Sequence, residues 1–371
     1  MKIGFDAKRA FFNKSGLGNY SRSTISLLQK YFPEIEYFLY TPSLKTAVSF
    51  NLNNSTKIVS PKYLNKISPS FWRTFNLSKQ IEKDEIEIYH GLSNELPKNI
   101  AKTKTKSIVT IHDLIFLRYP EFYSKIDRKI YLKKFRHACL EADKVLAISK
   151  QTKNDIENFL EIDKSKIEVV YQTCDSSFAI EKMEVEKSEI RRKYNLPENY
   201  LLYVGTIEER KNLLTIVKAL HLGKIDIPLI VIGKSTEYLK KVLSYISENN
   251  MKNINILKNV DFVDFPAIYQ MAEIFIYPSV FEGFGIPIIE ALYSKTPVIT
   301  TKGGCFNETG GQNSLYISPY NVSEMTEAIN RILYDTNLQK TIAASGFEFV
   351  QKFNEDIVAS NIFSLYQKLL S

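Results

Sequence analysis

Short apolar runs alternate with amphipathic stretches along almost the whole chain. Runs of this length, apolar on both faces, are the mark of strands buried inside a parallel sheet. The pattern predicts strands near residues 2–5, 36–40, 86–89, 107–111, 145–148 and 167–170. A second set is predicted near 201–204, 229–232, 254–257, 274–277, 298–300 and 315–317. The amphipathic segments between them read as helices, which gives an α/β fold with parallel sheets. Residues 179–197 are charged and poor in large apolar side chains, so they are expected to link the two sets. Beyond Asn321 the periodicity is helical only, over 323–334, 338–352 and 355–370. The domains expected are therefore 1–190 and 191–354, followed by a closing helix at 355–371.

A length of 371 residues suits two domains, and 44% hydrophobic with 12% aromatic residues is ample for two cores. Disorder is excluded as the general state of the chain. Cys139, Cys174 and Cys305 are scattered without CxxC or zinc spacing, which fits a reducing compartment. The first residues already read as a strand rather than a leader peptide, and no stretch approaches the length of a membrane span. A cytoplasmic protein is expected.

Charge changes this picture in one respect. Residues 1–190 hold 31 Lys and Arg against 23 Asp and Glu, whereas residues 191–371 hold 18 of each. The whole net charge of +8 sits in the first half. Residues 118–137 concentrate seven Lys and Arg among Tyr119, Phe122, Tyr123, Tyr131 and Phe135. Such a helix either rests on an anionic membrane, with Trp72 belonging to the same surface, or is solvated with its aromatics packed inward. A phosphorylated acceptor is another partner for this charge, and nucleic acid is not expected.

The most informative stretch is YPSVFEGFGIPIIEALYSKTPVITT, from Tyr277 to Thr301. Gly283 and Gly285 punctuate a turn between a strand and a helix beginning near Pro287. That helix directs free N–H groups and its dipole at the turn. Glu282 is expected in the turn and Glu290 in the first helical turn, so that both carboxylates address one small volume. A carboxylate among amide donors suits sugar or ribose hydroxyls. Taken alone, Glu290 also reads as an acid that merely complements the dipole.

Three other places carry chemistry. Residues 14–21, KSGLGNYS, put Gly16 and Gly18 before a helix, but Ser21 replaces the third glycine of a dinucleotide fingerprint, which speaks against NAD. His112 and Asp113 follow a strand, at the end where α/β sites form, as does His90 in YHGLSNELP. His137 and His221 lie in helical patterns and receive no role. Gly205 opens GTIEERKN, whose Arg210 and Lys211 are placed to clamp a diphosphate.

Glu282 and Glu290 within EGFGIPIIEAL resemble the E-x7-E signature of retaining glycosyltransferases of family 4, which have the GT-B fold. The glycine loop, the His-Asp pair in TIHDLIFLRYPEFYS and the RKN triplet occur in the same order as in that family. The resemblance implies two Rossmann-like domains facing across a cleft, with the last helix crossing back to the first domain. It implies hexose transfer with retention from a UDP- or GDP-sugar to a glycan or lipid-linked acceptor, in surface polysaccharide assembly. His112, Arg210, Lys211 and Glu282 take catalytic roles by this resemblance. Gly16, Gly18, Gly205, Gly283, Phe284, Gly285 and Glu290 bind the donor, while His90 and Asp113 lie on the acceptor side. Many relatives have Arg where this chain has Thr206, so Arg210 and Lys211 must carry the charge at the leaving diphosphate. No metal and no cofactor is expected, and the protein is expected to be cytoplasmic or peripheral on the inner face of the plasma membrane. A nucleotide-sugar epimerase or a silent nucleotide-sugar-binding subunit are the alternatives.

Overall fold

Seven parallel strands build the first sheet: β1 Lys2–Asp6, β2 Glu36–Tyr40, β3 Thr56–Val59, β4 Ile88–Gly91, β5 Lys106–Ile111, β6 Lys144–Ala147 and β7 Ile167–Val169. Their order is β3-β2-β1-β4-β5-β6-β7, with registers such as Phe5 beside His90 and Tyr89 beside Ser107. Six more form the second sheet: β8 Leu201–Val204, β9 Leu229–Ile232, β10 Ile254–Leu257, β11 Ile274–Tyr277, β12 Val298–Thr301 and β13 Leu315–Ile317. They too are parallel, ordered β10-β9-β8-β11-β12-β13. This computed structural model describes residues 1–43, 48, 50–61 and 71–371.

The chain divides into two compact units, Met1–Gln172 with Glu355–Ser371, and Thr173–Asn354. Central strands such as β4, β8, β9, β11 and β12 are buried at every position, which is why they read as unbroken apolar runs. The edge strand β3 was not legible in the sequence. Its residues Thr56-Lys57-Ile58-Val59 are half-buried or exposed, with Ile58 at 43%, so burial left no apolar run there.

Residues 179–197 are not a linker. They contain the helix Glu184–Tyr194, which belongs to the second unit and buries none of its own residues. Polar ties hold it instead. Lys193 Nζ and the Tyr194 hydroxyl both donate to Asp264 at 2.7 Å, and the Lys182 amide donates to Gln270 Oε1 at 2.9 Å. A helix fastened by hydrogen bonds rather than by an apolar face gives no periodic signal. The second unit therefore starts at Thr173, ahead of the boundary expected at 191.

The closing helix Glu355–Leu370 packs on the first unit, burying Val358, Ala359, Ile362, Leu365 and Tyr366. Phe363 stacks on Phe32 with ring centroids 4.0 Å apart, and Lys30 Nζ lies 2.6 Å from Glu355 Oε2.

β8 and β9 meet closely where they end. A Cβ on Gly233 would lie 1.8 Å from the carbonyl oxygen of Gly205, a contact between two backbones that neither can relieve by a rotamer change. Gly233→Ala should therefore lower the stability of the second unit by about 1–3 kcal/mol. A shift of the urea unfolding midpoint checks this, and an unchanged midpoint would show that the loop gives way freely.

Candidate active site

In the second sheet the order reverses between β8 and β11, and ligands of open α/β sheets bind outside the carboxyl ends of the strands at such a point. The two loops leaving those strands are 205–212 and 278–285. They are joined by the Val280 amide donating to the Arg210 carbonyl at 2.8 Å and by Asn212 Nδ2 donating to the carbonyls of Pro278 and Pro319. Gly205 has φ +152°, and a Cβ there would press within 3.1 Å of Lys211 Cδ, so the glycine leaves room for the lysine stem.

Glu282 is the hub of these loops. Its Oε1 accepts from Ser279 Oγ at 2.8 Å, from the Tyr277 hydroxyl at 3.0 Å and from Lys211 Nζ at 3.0 Å, and lies 2.7 Å from Arg210 Nη1. Among the described residues Oε2 has no protein partner. Burial would raise the Glu282 carboxyl, but Arg210 and Lys211 outweigh it and hold it at about 2. Arg210 also donates to the Phe281 carbonyl at 2.5 Å and to Glu208 at 2.6 Å. Lys211 Nζ donates to the Tyr277 hydroxyl at 2.5 Å and sits 4.8 Å from the centre of that ring. The two cations expected to clamp a diphosphate are thus seated against a carboxylate, a pairing that the sequence reading did not include.

Gly285 caps the helix Ile286–Tyr293 with φ +106°, a conformation for which glycine is suited. This places Glu290 in the second helical turn, not the first, so a simple role in complementing the dipole is removed. Its Oε2 accepts from the Tyr269 hydroxyl at 2.9 Å. Enclosure by protein atoms raises its carboxyl to about 7, a rise that Tyr269 opposes and the charge of Asp175 reinforces. The Phe284 ring is buried edge-on against Phe353, 5.5 Å away, so at Phe284 only the backbone is placed to meet a ligand. Gly283 is buried in the same turn.

In the first unit, His112 follows β5 with its ring nearly buried. Nε2 donates to the Leu92 carbonyl at 2.9 Å, the main-chain amide donates to Asn94 Oδ1 at 2.8 Å, and Tyr20 packs edge-on at 4.6 Å. Donation from Nε2 leaves Nδ1 as the acceptor nitrogen. Burial lowers this imidazole to about 4, with the Leu92 bond opposing and Arg9 assisting, so it is neutral at pH 7. Asp113 accepts from the Ile115 amide at 3.1 Å and so turns the chain into the short helix Ile115–Arg118.

His90 is displaced from the acceptor role that its position in the sequence suggested. Its ring is fully buried, Nδ1 lies 2.7 Å from the Tyr366 hydroxyl, and Nε2 lies 2.8 Å from Thr110 Oγ1. Both nitrogens are used inside the core, and burial lowers its pKa to about 3. Gly16 and Gly18 also part company. They lie in the first turn of the helix Gly16–Tyr31, and a Cβ on Gly18 would stand 1.9 Å from the Asn13 carbonyl. Gly18 is thus needed for packing, whereas a Cβ on Gly16 would meet nothing within 4 Å.

The basic segment resolves into the helix Lys125–Glu141, and it carries features of both readings. Tyr123, Tyr131 and Phe135 pack edge-on against the buried Phe116 at 5.3–6.4 Å. Ile126, Ile130 and Leu140 remain exposed. Trp72 is buried in the first core and does not share that surface, and residues 68–70 before it lie outside the described residues.

The sequence reading missed Tyr277, Ser279 and Tyr269, which orient the two glutamates, and Asn94 and Leu92, which seat His112. Tyr277 and Ser279 were within reach, because they stand where β11 ends, beside Glu282. Removing the Glu282 charge leaves Arg210 and Lys211 facing each other with side chains only about a seventh exposed. Glu282→Gln should cost about 3 kcal/mol at neutral pH. The stabilisation from a depressed carboxyl is complete above its ordinary value of 4.5 and is lost as pH falls through about 2. Urea titrations should therefore show wild type and variant converging across that window, and equal stability at pH 7 would deny the pairing any net contribution.

Among known proteins, the "Glycosyltransferase Family 4" profile matches residues 16–178 and the "Glycosyl transferases group 1" profile matches residues 186–349. The O-antigen chain mannosyltransferase B of Escherichia coli is 25% identical over the full length of both chains. The O-antigen chain mannosyltransferase RfbU of Salmonella typhimurium is 30% identical over 60% of each chain. The crystal structure of Anabaena HepE in complex with UDP-glucose superposes with a TM-score of 0.75, covering 99% of this chain and all of that one at 16% identity, which is a likeness of fold. With two parallel-sheet units, the signature loops at the strand ends and both profiles matched in order, the chain belongs to family 4 of the glycosyltransferases and has the GT-B fold.

Proposed function

We propose that this glycosyltransferase moves a hexose, with retention, from a UDP- or GDP-linked sugar to a hydroxyl of a glycan or glycolipid acceptor in surface polysaccharide assembly. The observation that carries the reading is the Glu282 hub. One carboxylate oxygen is fixed by four donors while the other has no partner among the described residues, beside two cations at the switch point of the sheet. Oε2 accepts from a hydroxyl of the donor sugar, and the open faces of Arg210 and Lys211 take negative charge that grows on the leaving diphosphate. The amides of Gly283, Phe284 and Gly285 and the loop at Gly205 hold the phosphates and sugar, and Glu290 accepts from the ribose. In the first unit neutral His112 offers Nδ1 to a sugar hydroxyl, and the open backbone at Gly16 admits the substrate. Retention belongs to this reading because the E-x7-E frame is that of the retaining enzymes. The mannosyltransferase names of the two relatives and the UDP-glucose bound by HepE support a nucleotide-hexose donor.

The test uses Glu290. Its carboxyl is half-protonated near pH 7 before the donor binds, and a ribose hydroxyl donates more strongly to the ionised form. Binding then favours loss of the proton, so donor affinity rises with pH up to about 7 and levels off above it. Calorimetry of UDP- and GDP-sugars in buffers of different ionisation enthalpy should register up to about one proton released per donor bound. Glu290→Gln should flatten the pH profile and weaken binding by about tenfold. Failure of every nucleotide-sugar to bind, or proton uptake on binding, would overturn this assignment.

We also propose that the helix Lys125–Glu141 rests on an anionic membrane. Ile126 is 72% exposed and Ile130 45%, beside Lys125, Lys129 and Lys133, which is the composition of an interfacial helix. Among the described residues no helix is long and apolar enough to cross a membrane, so attachment of this kind is peripheral. Flotation with anionic vesicles should weaken as salt shortens the screening length to about 10 Å at 0.1 M. Ile126→Ser with Ile130→Ser should release the protein, and equal flotation with neutral vesicles would count against the proposal.

A further inference from the structure

The first sheet has its own point of reversal, between β1 and β4, and the loops leaving those two strands meet there. After β1 comes the short helix Lys8–Phe12. Lys8 and Arg9 are half-buried, and among the described residues neither side chain has an ion-pair partner. The nearby acids are already matched. Arg73 Nε bonds Asp6 at 2.8 Å, and Arg73 Nη2 and Lys134 Nζ take the two oxygens of Glu95 at 2.5 and 3.1 Å. Two positive charges are thus left over on one short turn, partly withdrawn from water, where a cation without a counter-charge is costly. Burial and the neighbouring charges of Arg73 and Arg9 both lower the Lys8 ammonium, and the Arg9 charge is felt at His112.

Two more observations point to a ligand. The hydroxyls of Ser93, just past the end of β4, and of Tyr89, within β4, are buried with no hydrogen-bond partner among the described residues. Buried polar groups are rarely left unmatched unless a site is incomplete. Gly16, which follows the same loop, faces open space. The loop is also held in advance of binding. Arg22 Nη1 donates to the carbonyls of Ala10 and Asn13 at 2.8 Å each, and Nη2 donates to Asn19 Oδ1 at 2.5 Å.

We propose that Lys8 and Arg9, with the Ser93 hydroxyl, form a subsite for a phosphate group carried by the acceptor. This rests on the glycosyltransferase reading and narrows it, because the acceptor is then a phosphomonoester or a diphosphate-linked glycan rather than a neutral one. Two unpaired cations at a strand end suit a doubly charged oxyanion, with Arg9 as a planar fork and Lys8 as a point charge. A neutral glycan would leave both charges unmatched.

The donor diphosphate is the other source of the same chemistry, and competition separates the two. The full chain is titrated with inorganic pyrophosphate, alone and in saturating UDP or GDP, following the unfolding temperature. Pyrophosphate should still bind with the nucleotide in place. Lys8→Gln with Arg9→Gln should weaken that binding by about tenfold or more. Lys8→Arg with Arg9→Lys, which keeps the charge, should retain most of it. Loss of all pyrophosphate binding in the presence of nucleotide would assign these cations to the donor, and equal binding by wild type and the Gln pair would leave them no ligand. Either result overturns the proposal. If neither nucleotide raises the unfolding temperature, the donor reading fails on its own, while the comparison of variants with pyrophosphate still decides Lys8 and Arg9.

Discussion

One carboxylate oxygen holds the second unit's site together. Glu282 Oε1 receives Ser279, Tyr277, Lys211 and Arg210, groups that come from both loops at the point where the sheet reverses. Each partner alone would be an expensive thing to withdraw from water, and the hub makes their burial tolerable because every charge meets its opposite. The geometry that results is fixed before any ligand arrives. Dipoles and charges set in place in this way do not have to reorganise as a bond breaks, which is where electrostatic catalysis draws its advantage. Any anion that reached Arg210 and Lys211 would have to share those cations with Glu282.

The first unit solves the same positioning problem without charge. A buried line of hydrogen bonds runs from the Tyr366 hydroxyl through both nitrogens of His90 to Thr110 Oγ1, and Thr110 lies 3.1 Å from the Tyr20 hydroxyl. Tyr20 in turn packs edge-on against His112. Both imidazoles are kept neutral by burial, so this line carries orientation and not charge. His112 owes its tautomer to the Leu92 carbonyl and its seat to residues spread over β5, the helix Gly16–Tyr31 and the loop after β4.

Much of this was legible in the residues. Strands buried on both faces leave runs such as Leu229–Ile232 that have no other reading, whereas β3, wet along its length, left none. The family resemblance singled out Glu282, Glu290, Arg210, Lys211 and His112, because glycine turns and strand ends constrain sequence locally. What it could not give was pairing at a distance. That Arg210 and Lys211 are spoken for by a glutamate some seventy positions later, or that His90 answers to Tyr366, depends on the fold bringing remote segments together. The helix Glu184–Tyr194 escaped for a related reason, since its anchors lie in residues 261–270 and not along its own face. Glu290 fell in the second turn because the helix begins at Ile286, ahead of the start expected near Pro287.

The return of the last helix has a consequence for how the chain matures. Residues 173–354 are one unbroken segment, so the second unit has all its parts as soon as Asn354 has been made. The first unit does not, although it was begun earlier. Until Glu355–Leu370 emerges from the ribosome, Phe32 lacks its stacking partner, the His90 Nδ1 bond is unmade, and the surface that Ile362 and Leu365 will cover is open to water. The N-terminal unit is begun first and completed last. Its sheet must wait in an unfinished state for the length of an entire second domain, until the helix Glu355–Leu370 closes the core around His90.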